Sequence, residues 1–143
     1  MSPNELQELE TISRTLNAES NELNTIISAF NAKLATLNVG LEEWLSPDED
    51  HNQIGYAKVN DQWQLAVRYC EEIDWVLKPH WSEDAGYEPK PGTRYDVTPL
   101  LQASRELRVR ALEYMDALIG NLTQNARGRL KSIKSAKKLV ATL

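Results

Sequence analysis

IGYAKVNDQWQLAV, residues 54–67, carries a side-chain period of two on either side of Asn60-Asp61. Asn and Asp tolerate the positive φ angles of a two-residue hairpin turn, so the stretch predicts two antiparallel strands closed at that dipeptide. A turn there sets Lys58 opposite Trp63, Tyr56 opposite Leu65 and Ile54 opposite Val67. All six then fall on one mostly apolar face, while Gly55, Ala57, Gln64 and Arg68 fall on the other. Turn chemistry and alternation therefore specify the same register. VGLEEWL (39–45) and IDWVL (73–77) read as further strands, giving a three- to four-stranded antiparallel meander.

The segments around this sheet have a different period. Ser2, Pro3 and Glu5 form a helix-start signature, with a cap, a first-turn proline and a capping-box acid. Leu9, Leu16, Leu23, Ile27, Phe30, Leu34 and Leu37 follow on one stripe of a 3.6-residue helix. Gly40 supplies a stop, so the predicted helix covers residues 3–38. At the other end Thr98-Pro99 reads as a cap and first-turn proline. An apolar pattern from Leu101 to Val140 then predicts a helix over 99–141, with a kink expected at Gly120 or Gly128. The predicted class is α+β: two long terminal helices packed antiparallel, with the sheet (39–78) and a proline- and aromatic-rich loop (79–98) between them, as one domain.

Size adds a constraint. A 36-residue helix spans roughly 54 Å, whereas a 143-residue globule is about 40 Å across. Either the helices project beyond the sheet or they pack in a dimer.

Composition bounds the function class. The chain is 41% hydrophobic and 26% charged, which is ordinary globular usage. No apolar run reaches the roughly 18 residues of a membrane span, and the polar, acidic start is unlike a secretory leader. Cys70 is the single cysteine, which excludes an internal disulfide and C-x-x-C zinc chemistry and favours a cytoplasmic setting. The net charge of −5 divides unevenly: −8 over residues 1–50, −3 over 51–100 and +6 over 101–143.

The positive excess concentrates in NARGRLKSIKSAKK (125–138), where Arg127, Lys131, Lys134 and Lys138 share one helical stripe. As a phosphate-tracking surface this would bind nucleic acid. The preferred reading is different. Cations suit a helix C-terminus, and antiparallel pairing would set them beside Glu5, Glu8, Glu19 and Glu22 of the first helix.

SPDEDHNQIG (46–55) matches the first oxygen positions of a calcium loop at Asp48, Asp50 and Asn52. It then breaks the pattern at Gln53 and Val59, so calcium is not expected. His51, His80 and Cys70 make a metal or nucleophile site only if the fold gathers them. Residues 78–99 hold four prolines, two glycines and three aromatics without periodicity. They read as a structural cover across the sheet or as a recognition loop with Trp81, Tyr87, Arg94 and Tyr95 as partner-binding residues.

No catalytic or cofactor motif is present, so no enzyme activity and no cofactor are expected. The leading expectation is an interaction or scaffold protein that self-associates through its helices or binds a protein partner. Two alternatives accompany it: a module binding a small ligand or peptide through the polar sheet face and the 78–99 loop, and a nucleic-acid-associated protein using the basic helix.

Overall fold

Ser2 opens the first helix, α1 (Pro3–Leu37), through the expected capping box. Its hydroxyl accepts from the Glu5 amide at 3.2 Å, and the Glu5 carboxylate accepts from the Ser2 amide at 3.4 Å. Asn38 ends α1 in the left-handed conformation, and Gly40 turns the chain with a second positive φ. A computed structural model describes residues 2–47, 51–70, 74–81, 86–91 and 94–143.

The chain then enters an antiparallel sheet ordered β1 (Glu43–Leu45), β2 (Asn52–Val59), β3 (Gln62–Tyr69) and β6 (Asp96–Pro99). The β2–β3 hairpin has the predicted register: Lys58 opposite Trp63, Tyr56 opposite Leu65, Ile54 opposite Val67. Asn60 and Asp61 both adopt positive φ, 52° and 62°, as a tight two-residue hairpin turn requires. Between β3 and β6 the chain forms a separate two-stranded sheet, β4 (Trp75–Leu77) with β5 (Tyr87–Pro89).

The stretch expected to be loop thus contributes two strands. Thr98 and Pro99, expected to start a helix, instead pair with Val67 and Ala66 as the edge strand β6. Proline is tolerated there because an edge strand has one unpaired side. A 3₁₀ turn (Leu100–Gln102) follows, and Ser104 caps α2 (Arg105–Glu113) by accepting from the Leu107 amide. The expected single C-terminal helix breaks at Tyr114 (φ −100°, ψ 9°), and α3 covers Met115–Ala141. Gly120 and Gly128 lie inside α3, and neither marks the break.

The architecture is α+β, with long N- and C-terminal helices and a four-stranded antiparallel sheet between them. Ile27 and Leu34 of α1, Ile54, Tyr56, Leu65 and Val67 of the hairpin, and Met115, Leu118 and Leu122 of α3 share one core. Contacts between α1 and the C-terminal helical segment fall chiefly on α2 and the 3₁₀ turn. There Arg108 donates to Asn24, and Arg105 reaches Asn17 at 3.5 Å.

The other face of the sheet is covered as well. Gly55 lies beneath Trp44: a Cβ on it would come within 2.2 Å of the Glu43 carbonyl oxygen and 2.5 Å of the Trp44 ring. No residue but glycine admits that approach without displacing β1. The Arg68 guanidinium sits between two rings, 4.4 Å from the centroid of Trp44 and 3.9 Å from that of Tyr95. Gln53 is buried; its oxygen accepts from Arg68 Nε and its amide donates to Ser46 Oγ at 2.6 Å.

Candidate functional site

Helical geometry decides where α1 and α3 meet solvent. At about 100° per residue, Leu9, Ile12 and Leu16 lie within about 60° of the stripe that buries Ile27 and Leu34. The seam that fills the core therefore continues toward the N-terminus after the core has ended. Leu9 is 57% exposed and Ile12 55%. In α3 the buried stripe of Met115, Leu118 and Leu122 continues in phase through Ala126, Ile133 and Val140. Every residue from Arg127 onward is exposed, Ile133 at 53%. Each long helix thus has a half rooted in the core and an arm beyond it: residues 3–19 of α1 and 127–141 of α3.

The arms carry opposite charge. Residues 3–22 hold five acids and one base, whereas 126–143 hold six bases and no acid. Arg127, Lys131, Lys134 and Lys138 are all exposed on the α3 arm. The expected neutralisation by Glu5, Glu8, Glu19 and Glu22 of the same chain does not occur. Among the described residues no ion pair links the two sets. The physical reason is that α1 meets the C-terminal segment chiefly through α2 and the 3₁₀ turn, away from the basic end of α3.

The other candidates separate clearly. Tyr95 is part of the packing against Arg68, and its buried hydroxyl has no hydrogen-bond partner among the described residues. Burial pushes the Arg68 pKa below its ordinary value, opposed by the nearby Tyr95, Glu42 and Cys70. Arg94 is exposed, and Trp81 and Tyr87 are strongly so. Tyr87 lies opposite Leu77, and Pro89 opposite Trp75, which makes one face of β4–β5 apolar. Within the 78–99 segment Tyr95 packs against Arg68 and β6 extends the sheet as its edge strand, while Trp81 and Tyr87 are exposed.

His51 and Cys70 adjoin at one sheet end, where the Cys70 amide donates to the His51 carbonyl at 3.2 Å. Cys70 is buried, and among the described residues no cluster of metal-ligating side chains forms. Asp48 and Asp50 of the calcium-like pattern lie outside the described residues, and Asn52 is the first residue of β2.

Two grooves open between elements of the described residues. One, of about 1110 Å³, runs between α3 and the sheet edge and is lined mainly by polar side chains: Glu43 and Lys78 with Asn121, Asn125, Arg129 and Lys131. The other, of about 530 Å³, lies between the C-terminal half of α1 and the β2–β3 hairpin. The reading of apolar periodicity missed it, because its α1 wall is a stripe of small and amide residues. Among the described residues no helix is long and apolar enough to cross a membrane. No protein-family model, curated protein or solved structure matches the chain.

Proposed function

We propose that the protein is a non-enzymatic interaction or scaffold protein that self-associates, with the acidic α1 arm of one copy lying along the basic α3 arm of another. The observation that carries this is the continuity of both seams. Each leaves the core in phase and ends exposed, with opposite charge on the two arms. The arms also match in length, each roughly 22–26 Å. A two-fold pair forms both α1–α3 contacts at once, because the same two surfaces occur on each copy. Pairing α1 with a second α1, or α3 with a second α3, would set like charges together, which is unfavourable.

Light scattering at increasing concentration tests the reading. The mass should rise from one chain to two, at lower concentration in low salt than in high salt, since exposed charges are screened over roughly 10 Å at 0.1 M. A strict monomer at high concentration removes the proposal.

A second reading rests on the exposed Leu77–Tyr87 face of β4–β5. An isolated two-stranded sheet is marginal without a packing partner, so an extended apolar peptide is the occupant it suits. A peptide library that enriches no sequence against wild type over a Tyr87→Ser variant removes this reading. Nucleic acid is disfavoured as a partner because the basic arm sits on a chain of net charge −5. A reducing, cytoplasmic setting fits the single cysteine.

A further inference from the structure

The groove between α1 and the hairpin exists because one stripe of the helix does not fill the space beneath it. Ile27 and Leu34 reach the core on one side of α1, but the neighbouring stripe presents Ser28, Ala32 and Ala35 toward the hairpin end. Side chains this short leave about 530 Å³ open, within the roughly 300–1,000 Å³ range of small-ligand sites.

Its chemistry is narrow. Among the described residues no Asp, Glu, Lys, Arg or His lines it. A phosphate or carboxylate would enter without a counter-charge, and a cation without an acid. The polar side chains of its α1 wall are the Asn31 and Asn38 carboxamides and the Ser28 hydroxyl, and Asn31 is fixed in orientation. Asn31 Oδ1 accepts from the Leu65 amide at 2.8 Å, which leaves the Asn31 amide protons uncommitted among the described residues. Gln64 lines the groove through its strand position, but its side chain falls on the other face of the hairpin, where its amide donates to the Val59 carbonyl at 2.9 Å. One oriented donor, with the Asn38 carboxamide and the Ser28 hydroxyl beside it, suits a ligand whose groups both give and take hydrogen bonds.

The aromatic component sharpens this further. Tyr56 and Trp63 stack on each other, with centroids 5.7 Å apart and an interplanar angle of 27°. Tyr56 is buried, so among the described residues that line the groove only the partly buried Trp63 offers a ring to a ligand. Two plates already in contact leave no slot for a planar base between them. A single ring beside neutral amides instead matches the C–H face and hydroxyl rim of a sugar. We propose that this groove is a binding site for a neutral saccharide, a function separate from the self-association of the arms.

Saturation-transfer NMR with glucose, galactose, N-acetylglucosamine and maltose, each at millimolar concentration, tests the proposal, with adenosine and glucose 6-phosphate as controls. At least one neutral sugar should receive saturation and shift the Trp63 indole resonance, assigned with a Trp63→Phe variant. Ala35→Leu fills the groove from a helix position that favours leucine, and should weaken binding about tenfold or more. Failure of every neutral sugar, preferential binding of either control, or a sugar signal unaffected by Ala35→Leu would each overturn the assignment.

Discussion

Replacing Leu9 and Ile12 together by Gln removes the apolar seam of the α1 arm and leaves its charge and helix propensity intact. Full burial of such a side chain contributes about 1.5–3 kcal/mol. Leu9 and Ile12 are 57% and 55% exposed in the single chain, so each has a little over half of that still to gain. This amounts to about 1 kcal/mol per residue. In a two-fold dimer each position occurs twice, so the double variant should lose about 4 kcal/mol of association, or about a thousandfold in Kd. The fold should not notice, because surface substitutions away from special contacts change stability by no more than about 0.5 kcal/mol. Sedimentation velocity across a concentration series, with a thermal melt of dilute protein, measures both quantities. A variant that dimerises like wild type, or one that loses its melting transition together with its dimer, would refute the reasoning.

Charge should act on the same contact. Lys131→Glu with Lys134→Glu, read by light scattering, should weaken association at low salt and leave the melt of the single chain nearly unchanged, since both lysines are exposed and neither has an ion pair among the described residues. Gly55→Ala places a methyl group against the Glu43 carbonyl and the Trp44 ring, and should cost at least about 1–3 kcal/mol in urea unfolding. A neutral outcome would mean that β1 is not held as described. Gly120→Ala meets no atom within 4 Å and sits inside a helix, so it should stabilise by up to about 1 kcal/mol, a rise visible by calorimetry.

Much of this architecture was legible where its causes are local. The hairpin register follows from the alternation around Asn60-Asp61, and the start of α1 follows from Ser2, Pro3 and Glu5, all read within a few residues. The misplaced features depend on distant partners. Nothing in DVTP announces a strand, because β6 exists only through its pairing with β3. Tyr114 carries neither Gly nor Pro, so the break between α2 and α3 is set by how each helix packs. Arg68 was correctly placed on the hairpin's second face, but its enclosure by Trp44 and Tyr95 joins three separate segments of the chain. The arms were half legible. A helix outrunning its globule is a matter of length, whereas the separation of its acids from the basic stripe required the position of α2. The groove was missed because its signal, small and amide residues recurring along α1 at Ser28, Asn31, Ala32 and Ala35, is an interruption of the apolar pattern being followed.

Cross-linking between two differently tagged copies tests the central claim most directly. With Cys70 replaced by Ala, one copy carries Leu9→Cys and the other Ile133→Cys, and the mixture is treated with a short bis-maleimide at a concentration where the mass is that of two chains. Pairing of an acidic arm with a basic arm predicts a mixed product joining the two tags, diminished by high salt. Products joining only Leu9→Cys copies to each other, or only Ile133→Cys copies, would contradict it.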